Sequence, residues 1–189
     1  MALTLAALLL SIQVVLLIGI AIFVVRMVLW VVTGELDAPF VPTPVRYAEH
    51  VTAALEIAPG DVVYELGCGD GRFMLALAQF APEATFVGIE RNLLLYAVAL
   101  FRRRRAGYSN ASFRRSNFFD VDFSGANKVY AYLLDSAMHK LQPKFEREFK
   151  GRVASRTFPF TRKEMSNAIL LTERIGAHGQ HLLFIYDFE

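Results

Sequence analysis

The stretch Val62–Phe73, VVYELGCGDGRF, decides the fold of this chain. It opens as a short apolar run around the acidic Glu65, and glycines follow at alternate positions, Gly67, Gly69 and Gly71. Glycine lets a backbone turn sharply and approach a ligand closely. The helix expected after the turn begins with free N–H groups. The stretch therefore predicts a strand, a ligand-binding turn and a helix in direct succession.

The acidic residues of this turn indicate the charge of its ligand. Dinucleotide sites place glycines here as G-x-G-x-x-G against a pyrophosphate, whereas this turn reads G-C-G-D-G after Glu65. Carboxylates at Glu65 and Asp70 would repel a pyrophosphate and suit the ammonium group of a methionine moiety. Cys68 stands at a helix start, where a thiol pKa falls, but no histidine lies near it in sequence. We interpret it as a residue of the cofactor turn and not as a nucleophile.

A second motif, Phe86–Glu90, completes the cofactor prediction. Glu90 lies roughly 20 residues beyond Gly71, at the end of the next apolar run, where a carboxylate accepts both ribose hydroxyls of a nucleotide. Arg91 and Asn92 begin the following helix. Together the two motifs predict a site for S-adenosylmethionine (SAM). A nicotinamide site and a structural sheet without cofactor are the alternatives.

Apolar runs of strand and helix length alternate through the rest of the chain. We predict strands over 62–66, 85–89, 112–115, 128–133 and 152–158, helices over 47–56, 72–80, 92–106 and 137–150, and a terminal hairpin of 168–175 and 181–188 across 176–179. Such alternation predicts an α/β fold, a Rossmann-like doubly wound and mostly parallel sheet. The hairpin adds an antiparallel C-terminal strand, which such a sheet accommodates.

The N-terminal segment predicts a membrane helix. Residues 1–25 carry no charged side chain, and about 20 apolar residues span a bilayer. Arg26 and Trp30 suit the interface. A cleaved signal peptide fits less well, because a basic start is lacking, and a buried core helix fits less well in so small a domain. Positive charge after the span predicts a catalytic domain on the cytoplasmic or matrix-equivalent side.

These segments divide the chain into a transmembrane helix at 1–33, a proline-containing linker at 34–46 and a SAM-dependent methyltransferase domain at 47–189. The linker is either a spacer, which is favoured, or a segment that packs over the cofactor or substrate mouth. A net charge of +2, four histidines and one cysteine indicate neither a nucleic-acid partner nor a metal site. The expected partners are the lipid bilayer and a membrane-protein substrate.

The motifs resemble those of class I SAM-dependent methyltransferases. Within that class the chain most resembles the membrane-anchored lysine methyltransferases that act on the c subunit of ATP synthase or the adenine nucleotide translocase. The segments that carry the resemblance are PTP (42–44), ELGCGDGR (65–72), GIERN (88–92), YAVALFRRRRAG (96–107), MHKLQPKFEREF (138–149) and RVASRTFPF (152–160). The resemblance implies methylation of a lysine in a membrane protein. A lipid or other small-molecule acceptor, and a non-catalytic SAM-binding module, are the alternatives.

The resemblance also implies roles for residues after the third strand. Asn117 would accept a hydrogen bond from the adenine amine, and Phe118 would flank the ring, while a loop cap by Asn117 is the alternative. The family usually carries aspartate at position 117, and asparagine keeps the acceptor but not the charge. Residues 132–135 depart from the family's short turn of glycine and proline.

The acceptor is expected beside the ends of the fourth and fifth strands. Tyr132, Phe158 and Phe160 would line an aromatic channel there, or belong to the sheet core. Asp135 would hydrogen-bond the incoming ammonium, or cap the next helix, which is favoured. The run 102–105, four arginines, is either a solvated helix end, which is favoured, or a contact to anionic lipid.

Overall fold

A computed structural model describes residues 2–33, 41–171 and 182–189. Its backbone contacts divide the chain into two compact units, Met1–Leu36 and Asp37–Glu189. In the first unit, the described residues form one helix, α1, Ala2–Thr33. Within it the 20 residues Leu9–Val28 have a mean hydropathy of 2.5 and are not buried. By length and composition this helix is able to cross a membrane.

The second unit alternates strands and helices as expected. Its elements in chain order are a 3-10 helix Val45–Tyr47, α2 Ala48–Leu55, β1 Val62–Leu66, α3 Arg72–Phe80, β2 Thr85–Glu90, α4 Leu93–Ala106, β3 Ala111–Arg115, a 3-10 helix Phe118–Asp120, β4 Lys128–Ala131, α5 Asp135–Glu148, β5 Gly151–Arg156, β6 Asn167–Leu170 and β7 Leu182–Phe188. The strands form one sheet in the order β3-β2-β1-β4-β5-β7-β6.

The sheet is doubly wound and mostly parallel, which confirms the predicted fold class. Strands β1 to β5 pair in parallel, and β7 pairs antiparallel with both β5 and β6. The chain builds outward from β1 through β2 to β3, then returns to β4 on the other side of β1. In such sheets the ligand crevice lies outside the carboxyl ends of the strands beside this reversal.

Two apolar clusters cover the two faces of the sheet. One contains α2 and α3 residues against Tyr130 and Phe86, and the other contains α5 residues against Val129 and Tyr186. Phe145 of α5 centres the second cluster, and its ring stacks on that of Phe123 with 4.7 Å between centroids. Burial of rings on both faces leaves the strand ends as the places where polar groups gather.

The structure shortens two predicted strands and shifts one predicted helix by two residues toward the N-terminus. β4 ends at Ala131 instead of residue 133, because Leu133 turns into the second cluster and is 3% exposed. β5 ends at Arg156, because Thr157 adopts a left-handed backbone with φ of 74°. α5 begins at Asp135 and continues through Pro143. Strands β6 and β7 pair antiparallel, as the predicted hairpin requires, and residues 172–181, which include its predicted turn, lie outside the described residues.

Candidate functional site

The glycine turn between β1 and α3 is held against the end of β2. Gly67 and Cys68 both donate their backbone N–H to the carbonyl of Ile89, at 2.9 and 3.0 Å. Gly71 has a φ of 74°, and a Cβ there would strike the Phe113 ring and approach the Ala99 Cβ to 2.9 Å. The glycine at this position is therefore required by backbone conformation and by packing.

Glu65 is a buried carboxylate with an unsatisfied oxygen. It is 5% exposed, and its Oε2 has no hydrogen-bond partner. Burial, followed by the charges of Asp70 and Glu90, raises the pKa of Glu65 well above its ordinary value, although the Met74 amide opposes the shift. Because an unpaired buried carboxylate is costly, this position suits a cationic ligand.

Glu90 is oriented by backbone hydrogen bonds on both of its oxygens. Oε2 accepts the N–H of Gly69 at 2.8 Å, and Oε1 accepts the N–H of Asn92 at 2.7 Å. A carboxylate has about four lone-pair sites, so each oxygen keeps capacity for a hydroxyl donor. The bond to Gly69 joins the end of β2 to the glycine turn, which places the two sequence motifs together.

The Asp70 carboxylate pairs with two arginines, an arrangement that was not predicted from the sequence. It contacts Arg72 and, at 3.2 Å, Nη2 of Arg102. Burial disfavours its ionisation, but hydrogen bonds from Arg72 and the charges of both arginines outweigh burial and lower its pKa. The Asp70 charge is thus matched within the protein. The pairing also sets Arg102 apart from the three arginines that follow it in α4, and the run of four gave no sequence signal for this difference.

Cys68 is buried beside the carboxylates, not activated by the helix start. Burial, followed by the charges of Glu65 and Glu90, raises its thiol pKa. Its Sγ would lie 2.7 Å from a Cβ built on Gly88. These contacts support the interpretation of Cys68 as a packed residue of the turn.

The segment after β3 lies beside Glu90. Ser116 donates its N–H to the Glu90 carbonyl at 3.2 Å. Asn117 Oδ1 accepts the N–H of Phe119 at 3.3 Å, so the loop cap weighed as an alternative is present. The half-buried Phe118 packs its ring 4.6 Å from that of Phe119. Arg91, which follows Glu90, is exposed.

At the ends of β4 and β5 the structure brings together a cation and two aromatic rings. The buried Arg156 guanidinium lies 4.4 Å from the Tyr132 ring centroid and 5.4 Å from that of Tyr47. Thr157, next in sequence, combines its left-handed backbone with a buried hydroxyl that has no hydrogen-bond partner. Strained residues of this kind gather at functional sites. Tyr132 was predicted from the sequence, whereas Arg156 and Tyr47 were not.

The other predicted acceptor residues are dispersed. Asp135 is exposed and is the first residue of α5, so the favoured N-cap interpretation is wrong by one position: Leu134 occupies the cap without a side-chain bond. Phe160 is 4% exposed and its ring contacts those of Phe145 and Tyr186, so it belongs to the sheet core. The half-buried Phe158 packs on the same cluster.

The end of the predicted linker packs onto this unit. Thr43 is 5% exposed, and its hydroxyl lies 3.0 Å from that of the fully buried Tyr130. Burial raises the pKa of Tyr130, so the phenol keeps its proton. Residues 43–47 are therefore part of the folded unit and not a spacer, while residues 34–40 of the predicted linker lie outside the described residues. The prolines on both sides of Thr43 were the sequence signal for a fixed path.

A family model of the ANTKMT methyltransferase domain matches residues 65–167 of this chain, from the carboxylate of β1 into β6. The chain belongs to this family. A protein-lysine N-methyltransferase of Saccharolobus islandicus is 37% identical over 123 residues, which cover 64% of this chain and 76% of that protein. A human lysine N-methyltransferase, named for the C subunit of ATP synthase, is 34% identical over 125 residues, 65% of this chain and 52% of the human protein.

A solved structure extends the likeness to the fold. The RNA methyltransferase of Salinibacter ruber, in complex with S-adenosyl-L-homocysteine, superposes with a TM-score of 0.69 at 28% identity, covering 78% of this chain and 94% of that one. The chain is thus a SAM-dependent methyltransferase. The residues present fit the cofactor, because the unsatisfied Glu65 oxygen suits its ammonium group and Glu90 has capacity for hydroxyls. Among the described residues, no cluster of three or more histidine, cysteine, aspartate or glutamate side chains could hold a metal ion.

Proposed function

We propose that this methyltransferase is tethered to a membrane by α1 and methylates a lysine side chain of a membrane protein. The family carries the proposal, since two relatives above 30% identity are named lysine N-methyltransferases. The span Leu9–Val28 supports the tether. The chain spans about half of the human relative, so the acceptor is inferred and needs a direct test. The catalytic unit is proposed to face the cytoplasm or an equivalent compartment.

For the cofactor, we assign the two ends of the molecule to two carboxylates. Glu65 receives the ammonium group, because its buried oxygen lacks a partner. Glu90 receives the ribose hydroxyls, because its two backbone bonds fix the carboxylate at the strand end. The remaining proposed cofactor residues are Gly67, Cys68, Gly69, Asp70, Gly71, Arg91, Asn117 and Phe118. Asp70 acts through Arg72 and Arg102, which hold the turn in place.

At the acceptor end, the protein must present a neutral amine. SAM supplies an electrophilic methyl group, and an ammonium has no lone pair with which to attack it. A free lysine has a pKa of about 10.4, and a neighbouring positive charge or loss of solvent lowers it. The buried Arg156 beside Tyr132 supplies such a charge. Tyr132 and Asp135 are the residues proposed to position the amine.

The first experiment measures SAM binding by calorimetry on the full chain in lipid nanodiscs. Glu90→Ala is expected to weaken binding at least about tenfold, because the ribose loses a charged acceptor. Glu83→Ala, at an exposed position beyond α3, is the matched control and should bind normally. A well-folded chain that binds no SAM would overturn the cofactor assignment.

The second experiment identifies the acceptor with labelled SAM and isolated membranes. Label in methylated lysine after protein hydrolysis would support the proposal. Label in the lipid extract, or in added RNA such as the Salinibacter ruber relative suggests, would overturn the lysine assignment. Binding without any transfer would favour a SAM-binding module.

The tether has its own test. Native α1 is expected to stay in the membrane pellet through alkaline extraction. Leu16→Arg with Ile20→Arg, two charges within the span, should release the chain, because each charge at a helix centre costs about 2.5–3.5 kcal/mol. Release of the native chain under the same conditions would contradict the tether.

A further inference from the structure

Helix α4 exposes large apolar side chains along its outer face. Leu93 and Leu94 are each 54% exposed, Val98 is 40% exposed and Phe101 is 64% exposed. Within α4 only Ala99 is buried. With 3.6 residues per turn, the four exposed side chains fall within an arc of about 140°. Contiguous apolar patches of this kind mark interaction sites in soluble units.

The same face carries positive charge and no negative charge. α4 contains no aspartate or glutamate, and its last turn holds Arg103, Arg104 and Arg105. By helical spacing, Arg104 and Arg105 lie inside the apolar arc, on either side of Phe101. Arg102 is not part of this face, because its guanidinium pairs with Asp70.

We propose that this α4 outer face, formed by Leu93, Leu94, Val98, Phe101, Arg104 and Arg105, rests on a bilayer surface that contains anionic lipid. An apolar helix face buries itself in the headgroup region, and each arginine near an anionic surface strengthens the attraction. The inference rests on the proposed tether for the nearness of the bilayer. A protein partner would need acidic groups opposite both arginines.

The contact would also orient the active site. α4 begins after only two intervening residues beyond Glu90, and its first exposed residues, Leu93 and Leu94, stand at the carboxyl edge of the sheet. A bilayer that receives these side chains lies close to the cofactor end of that edge. This placement would shorten the distance between the methyl donor and a lysine near the membrane interface.

Tryptophan fluorescence tests the contact in the full chain. The single tryptophan is replaced by Trp30→Phe, and Phe101→Trp places the probe on the α4 outer face. The nanodiscs carry brominated acyl chains, with phosphatidylserine present or absent. A face inserted roughly 5–10 Å into the headgroup boundary should lose about half its emission in the anionic discs. Phe80→Trp, 51% exposed on α3, is the control and should keep its emission.

Charge reversal tests the role of the arginines. Arg104→Glu with Arg105→Glu should restore most of the Phe101→Trp emission. The matched reversal Lys140→Glu with Lys150→Glu, at exposed positions elsewhere, should not. If quenching is the same with and without phosphatidylserine, and is unchanged by the arginine reversal, the proposed contact with anionic lipid is overturned.

Other outcomes separate this inference from the proposed function. A chain that enters the discs while Phe101→Trp is quenched no more than Phe80→Trp would overturn the α4 contact alone. A chain that fails to enter the discs would overturn the tether and this inference with it. An emission shift that grows with protein concentration in lipid-free detergent would overturn the lipid contact and assign the face to contact between copies.

Discussion

The two ends of the carboxyl edge of the sheet are built in different ways. The proposed cofactor end, Glu65–Gly71 with Glu90, comes from two short motifs that backbone hydrogen bonds join. The proposed acceptor end, Tyr47 with Tyr132 and Arg156, gathers side chains from three distant segments. The geometry of the first end therefore follows from local sequence. The geometry of the second end depends on tertiary packing.

The largest effect is expected from a substitution in the glycine turn. Gly71→Ala should lower the free energy of unfolding by about 3 kcal/mol and abolish SAM binding, because the new Cβ strikes Phe113 in a left-handed conformation. Urea unfolding followed by near-ultraviolet circular dichroism measures the loss. Gly60→Ala has a similar φ of 83° but open space around it, so it should cost only about 1 kcal/mol. Equal losses would show that packing at Gly71 is irrelevant.

The next prediction concerns Glu65, where one substitution should change SAM affinity and the stability of the SAM-free chain in opposite directions. Glu65→Gln should weaken SAM binding at least about tenfold, because the ammonium loses a charged partner. The chain without SAM should become more stable, because the unpaired buried carboxylate is removed. Calorimetry and unfolding on one set of samples measure both. If SAM affinity and the stability of the SAM-free chain both fell, or both rose, the assignment of Glu65 to the ammonium group would be contradicted.

The pH dependence follows from the same group. A folded pKa raised above the unfolded value means that the folded chain binds the extra proton. The stability of the SAM-free chain should therefore fall as pH rises above about 4.3, the ordinary glutamate pKa. Glu65→Gln should flatten this part of the profile. If the slope of stability against pH is the same in Glu65→Gln as in the native chain, a group other than Glu65 causes the pH dependence.

A smaller effect tests the acceptor end. Arg156→Met should leave SAM affinity within about twofold and reduce methyl transfer about tenfold near neutral pH, because the acceptor amine holds its proton more strongly. The acidic limb of the rate profile should then move to higher pH. Arg156→Lys, which keeps the charge, should keep the limb in place. A loss of rate without a shifted limb would indicate a packing role alone.

The same contrast explains which features the sequence could predict. Residues that lie close together in sequence determine the glycine turn, the position of Glu90 and the alternation of strands. Fold class and cofactor could therefore be predicted from sequence patterns. Arg102 and Arg156 were missed because their partners, Asp70 and Tyr47, lie far away in sequence. The burial of Thr43 was also missed, since proline spacing shows a stiff segment but not what it packs on.

Asn117 combines a local role, the loop cap, with a proposed role in binding adenine. Its substitution should have the smallest effect on SAM binding. Its Oδ1 already accepts the Phe119 amide, so adenine would use the second lone pair of the same oxygen. Asn117→Ala removes both bonds and should weaken SAM binding about three- to tenfold, at about 0.5–1.5 kcal/mol per bond. Asn117→Asp keeps both acceptors and should bind at least as tightly as the native chain. If calorimetry shows the alanine variant binding normally, Asn117 is a loop cap only, and the adenine must be recognised by ring contacts such as those of Phe118.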